Sequence, residues 1–220
     1  MGDVVWRLHD GGSPRRVTIS SVPFPQSSLE KMHLAPWLRI QETLSVRKRS
    51  RDLPTLRKLV SPHPHTRLLD LGGGAGSATA RFASGCRKVV MLEPNRRKIR
   101  LGRSLHPGFH FVEGQAEALP FVEESFDVVV GVVSFHHVSD PAAALREAHR
   151  VLRRSGRIVL HELYPVHHAS VAPRLLGTWF HGSKPQLFTP GELKVRLESH
   201  DFREVSTVDG VRGYFVWGIL

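Results

Sequence analysis

The residues of this chain best suited to chemistry stand in one short run, Leu69-Asp70-Leu71-Gly72-Gly73-Gly74-Ala75-Gly76-Ser77. A glycine run between a strand and a helix lets a ligand approach the backbone and meet the helix N–H groups. It is not a P-loop, because no Gly-Lys-Ser/Thr follows the glycines. It is also an imperfect dinucleotide fingerprint: counted from Gly72 the last position is Ser77, and counted from Gly74 it is Thr79. Asp70 precedes the first glycine by two positions. A carboxylate there would meet a cationic amine well and a pyrophosphate badly. The loop therefore favours a ligand with a positively charged amino-acid tail over NAD. Glu93 closes the next predicted strand, where a ribose-binding acid belongs in such sheets. Alone, Asp70 could be a helix cap and Glu93 a solvated strand end; together, at this spacing, they read as a binding site.

A second group of candidates is His136 and His137, just after the fourth predicted strand. A neutral imidazole there can accept a proton near neutral pH. Either ring could instead pack under the following helix or bond the backbone. His136 reads more readily that way, and for His137 both readings stand. The later histidines His161, His167, His168 and His181 fit no metal-ligand spacing, and Pro165 would break a helix carrying the first of them, so no metal site is expected.

These residues need a scaffold. Short apolar strands are expected at Leu68–Leu71, Lys88–Glu93, Phe109–Val112, Phe126–Val130, Arg157–His161, Glu204–Val208 and Gly213–Ile219. Helices are expected at Ala75–Ala83, at Arg96–Leu105, from Asp140-Pro141 to Leu152, and from Thr189-Pro190 onward. The last two start with a capping residue before Pro. Strands alternating with helices imply a mostly parallel sheet covered on both faces. The Asp209-Gly210 turn makes the last two strands a hairpin, so one strand runs antiparallel. The fold class is thus α/β, a Rossmann-like seven-stranded sheet with its ligand at the carboxyl ends of the strands. Ahead of it, residues 1–28 read as a loosely ordered arm with a short strand near Val17–Ile19. Helices follow at Leu29–Trp37 and Ile40–Val46, and then one capped by Asp52 that stops before Pro62. The expected division is an arm and helical cover over 1–60 and the binding domain over 61–220.

The length of 220 residues suits one domain with a short extension. The single cysteine, Cys86, excludes a disulfide framework, no run has Cys/His zinc spacing, and a reducing, cytoplasmic setting is the expectation. No stretch approaches the ~20 apolar residues of a membrane span, and Met1–Asp10 lacks the features of a signal peptide. The net charge of +11 admits a nucleic-acid partner. Its basic residues cluster at Arg47–Arg51, Arg96–Arg103 and Arg150–Arg157 without forming one block.

Taken in order, these motifs resemble those of the class I S-adenosylmethionine (SAM)-dependent methyltransferases, in particular the branch containing the quinone-biosynthesis C-methyltransferases. The resemblance is strong over Arg67–Leu160 and weaker over Phe188–Leu220. It implies that Asp70, Gly72, Gly73, Gly74 and Gly76 cradle the methionine part of SAM, and that Glu93-Pro94 holds the ribose. It implies further that Gln115, Ala116 and Glu117 border the adenine. The family usually has Asp where Gln115 stands. Its amide oxygen can still accept from the adenine amino group, or Gln115 faces solvent and the backbone near Ala116 touches the base. Ser125–Val129 followed by His136-His137-Val138 resembles the fourth motif, which places the two histidines as catalytic candidates near the transferred methyl group. The implied activity is in-line methyl transfer to a small-molecule acceptor. Alternatives are an RNA (tRNA) acceptor, a SAM-binding module without catalysis, and an NAD-dependent oxidoreductase. The helices at Leu29–Val46 would cover the SAM site, and the segment holding Tyr164, Trp179 and Phe180 would lie over the acceptor.

Overall fold

The computed structural model describes residues 40, 42–44, 46, 47, 50–165 and 185–220. The elements expected near Val17–Ile19 and Leu29–Trp37 lie outside the described residues, as do His167, His168, Trp179, Phe180 and His181.

Seven strands form one sheet: β1 (Arg67–Leu71), β2 (Lys88–Leu92), β3 (His110–Val112), β4 (Phe126–Val132), β5 (Leu152–Leu163), β6 (Arg203–Asp209) and β7 (Gly213–Ile219). Their spatial order is β3-β2-β1-β4-β5-β7-β6. The pairs from β3 through β5 are parallel, and β7 is antiparallel to both neighbours. The chain thus crosses from β3 to β4 over the sheet, leaving a crevice between the carboxyl ends of β1 and β4. Open α/β sheets bind ligands at such a reversal of strand order.

The near-continuous apolar strands follow from burial on both faces. On β1, Leu69 and Leu71 join a core with Phe126, Leu145, Leu160 and Tyr214, while Leu68 joins the opposite core with Phe82, Val89, Val130 and Phe215. The helices are α1 (Leu53–Val60), α2 (Thr79–Phe82), α3 (Arg96–Leu105), α4 (Pro141–Val151) and α5 (Pro190–Glu198). Asn95, Asp140 and Thr189 each cap the helix that follows, and Thr189 with Glu192 completes a reciprocal capping box. Helical backbone also occupies positions 40, 42–44, 46 and 47.

Three expectations are corrected. The helix expected over Ala75–Ala83 is only the four residues Thr79–Phe82. Gly72, Gly74 and Gly76 all have positive φ, which winds the chain through a loop before a helix can start. The strand expected at Arg157–His161 runs from Leu152 to Leu163. Its early part is held by Ser155 N–H donating to the Leu220 carbonyl, with Ser155 itself at φ +59°. Finally, the Asp52 side chain does not cap α1. It leaves the helix and accepts from the Val211 N–H at 2.7 Å, in the turn between β6 and β7.

Candidate active site

The glycine loop sits at the carboxyl end of β1. Gly72 N–H donates to the Leu92 carbonyl at 2.8 Å, which keeps the loop against β2. At Gly72 and Gly73 the loop leaves no room for a side chain. A β-carbon on Gly72 would lie 2.9 Å from that of Ser134, and one on Gly73 would lie 2.1 Å from the Met91 methyl carbon and 2.8 Å from an Asp70 oxygen.

Asp70 is buried in the sheet, and its Oδ2 accepts from the Thr79 hydroxyl at 2.5 Å. Glu93, buried just past β2, accepts from Gly74 N–H at 3.0 Å through Oε2 and from Asn95 N–H at 2.9 Å through Oε1. Each of its oxygens keeps a further lone pair for a ligand. Glu117 accepts from Ser139 N–H at 2.7 Å and so ties the loop after β3 to the turn before α4.

Between these elements lies a cavity of about 510 Å³, a size typical of small-molecule sites. Asp70, Gly72, Gly73, Gly74, Glu93, Pro94, Gln115, Ala116, Glu117 and His137 all line it. Gly76 and His136 do not. Gly76 (φ +83°) lies beneath the loop, where a β-carbon would be 3.3 Å from the rings of His106 and Phe109. His136 is buried, and its Nδ1 lies 2.7 Å from Glu162 Oε2. Gln115 is exposed at the rim, and its carbonyl accepts from Ala118 N–H.

Glu162 carries no motif that the sequence analysis singles out. Yet this buried carboxylate organises the turn after β4. Its Oε1 accepts from the Ser134 and Phe135 N–H groups at 3.0 and 2.7 Å, and its Oε2 meets His136. Burial pushes the Glu162 carboxyl upward, but the His136 hydrogen bond and charge, the Phe135 N–H and the His161 charge outweigh it and hold the group below the ordinary carboxylate range. Ser134 adds a bond from its hydroxyl to the Leu71 carbonyl at 2.6 Å, locking the ends of β4 and β1 together. Val133 lines the cavity at φ +53°, a conformation that a β-branched residue adopts only under constraint. No local motif announces that strain. The turn thus presents His137, exposed, to the cavity while His136 faces inward.

His161, on the other side of β5, stacks on Phe215 at 4.4 Å and lies 3.6 Å from Asp52 Oδ2. It is a packed core residue. Among the described residues no group of His, Cys, Asp and Glu could hold a metal ion, and no helix is long and apolar enough to cross a membrane.

The arrangement suits SAM. The glycines admit a ligand against the backbone, Asp70 and Glu93 lie on the wall beside them, and the turn after β4 closes the far side. The sequence model of the methyltransferase domain family matches residues 69–160. An uncharacterised methyltransferase from Bacillus subtilis is 30% identical over 118 residues, 51% of this chain and 47% of that protein. A ubiquinone/menaquinone biosynthesis C-methyltransferase from Hahella chejuensis is 40% identical over 106 residues, 43% of this chain and 42% of that one. The matched part of the chain thus spans less than half the length of these curated relatives. Among solved structures, a SAM-dependent methyltransferase from Thermotoga maritima superposes with a TM-score of 0.67 at 19% identity, over 82% of this chain and 94% of the other. At that identity the likeness is one of fold.

Proposed function

Because this chain belongs to the class I SAM-dependent methyltransferases, we propose that it transfers a methyl group to a small-molecule acceptor held at the carboxyl ends of β4 and β5. One observation carries the reading: a single cavity gathers Asp70, Gly72–Gly74, Glu93 and His137. The quinone-biosynthesis relatives support a small-molecule acceptor.

Bound SAM would supply an already activated methyl group on a sulfonium. The protein's part is to bind, align and exclude water. Asp70 takes the cationic amino-acid tail, and Glu93 takes a ribose hydroxyl through a remaining lone pair. Gln115, Ala116 and Glu117 border the adenine. His137 faces the acceptor and, where the acceptor is a hydroxyl or an acidic carbon, accepts its proton. His136 acts as a positioning residue: with Glu162 it fixes the turn from which His137 projects.

The test is calorimetric titration of the wild type and Asp70→Ala with SAM and with NADH. The expected result is SAM binding with a Kd of micromolar order, about −8 kcal/mol, weakened at least tenfold in the variant, with no NADH binding. Absence of SAM binding, or a preference for NADH, would overturn the reading.

A further inference from the structure

Two residues described as helical ahead of the sheet, Glu42 and Val46, line the cavity, and none of the motifs explains the charged one. Glu42 shares the cavity wall with Gly74, Glu93, Pro94 and Lys98. Two carboxylates converge on Gly74. Glu93 Oε2 accepts its N–H at 3.0 Å, and Glu42 Oε1 lies 3.3 Å from the point a β-carbon on Gly74 would occupy. Gly74, at φ +63°, has no side chain to hold them apart. Asp70 sits at the other end of the loop, bonded to Thr79 and next to Gly73.

An ionised carboxylate only accepts hydrogen bonds, so a pair facing one volume calls for a ligand with matching donors. A vicinal diol has two O–H groups at fixed separation, one for each carboxylate. Resting on the methyltransferase reading above, we propose that Glu42 is a second carboxylate of the ribose subsite. Glu93 takes one ribose hydroxyl from the sheet side, and Glu42 takes the other from the 40–47 segment. The segment is thereby drawn over the nucleoside, so part of the cofactor site comes from sequence outside the matched domain.

The test uses three ligands on wild type and Glu42→Gln: SAM, S-adenosylhomocysteine, and 5′-deoxy-5′-methylthioadenosine, which keeps adenine and ribose but lacks the amino-acid tail. A neutral acceptor in place of a charged one is expected to weaken all three about tenfold. The 2′,3′-dideoxy form of methylthioadenosine should bind wild type and variant equally, because the partner hydroxyls are gone; a general structural defect would not reproduce that coupling. Methylthioadenosine should also slow amide exchange over 40–47 in the wild type and not in the variant. Unchanged affinities would overturn the proposal. So would a loss confined to SAM and S-adenosylhomocysteine, which would put Glu42 on the ammonium group. A wild type that binds none of the ligands would instead sink the methyltransferase reading itself.

Discussion

At the scale of the residue, the largest consequence attaches to Glu162, the buried acceptor for Ser134 N–H, Phe135 N–H and His136. Glu162→Gln turns one accepting oxygen into a donor among donors. Breaking one partner of a buried pair costs about 3–5 kcal/mol, so the variant should lose that much in a urea melt at pH 7. The carboxyl titrates lower in the folded protein than in the unfolded chain. Its contribution is therefore complete above the ordinary glutamate value, about 4.3, and is lost as pH falls through the lower folded value. The difference between wild type and variant should shrink in melts repeated below pH 4; a constant difference would mean that the carboxylate charge does not stabilise the fold. Asp70, Glu93 and the glycines were legible because they lie in one local pattern between predicted strands. Glu162 was not, because its partners lie 26 to 28 residues away and meet it only when β4 and β5 pair. The same distance hid the fate of Asp52: its spacing before Pro54 mimics a cap, and only the fold brings Val211 to it.

Helices show a similar division. The bounds of α3 match the sequence reading, since Asn95 and the apolar Ile99 and Leu101 mark them locally. Helix propensity would also mark Gly102 as a weak point, with Ala better by about 0.8–1 kcal/mol. Packing reverses that sign. A β-carbon on Gly102 would lie 2.3 Å from the Phe111 ring and 2.9 Å from the Ala75 carbonyl, so α3 can approach β3 and the glycine loop this closely only without a side chain. Gly102→Ala is expected to destabilise by about 1–3 kcal/mol and, by displacing the loop, to weaken SAM binding. A gain in unfolding temperature would contradict this. At α5 the local and global signals agree. Thr189 caps the helix reciprocally with Glu192, so Thr189→Ala should cost about 1 kcal/mol in the same melt. It should leave SAM affinity untouched, because neither residue lines the cavity.

At the scale of the whole molecule, several of the cations behind the net charge of +11 are held by the fold among the described residues. Arg57 donates to the Phe82 carbonyl, Arg103 to that of Phe111, and Arg157 to that of Leu59. Arg67 and Arg153 share Asp127. Arg150 is held by Glu147 and the Leu119 and Phe121 carbonyls. Much of the basic run Arg150–Arg157 therefore fastens the end of the sheet opposite the cavity. Arg96 pairs with Glu113, and of the cluster on α3 it is Lys98 that reaches the cavity wall. This distribution separates the two acceptor classes. An RNA held by six to ten phosphate contacts loses roughly 10³–10⁵ in affinity between 50 and 200 mM salt. A small acceptor enclosed in the cavity meets few long-range charges, and those are screened beyond ~8–10 Å at ordinary ionic strength. Once a turnover assay exists, kcat/KM for the proposed small acceptor should change less than about threefold over that salt range. A fall of several orders of magnitude would move the acceptor to RNA.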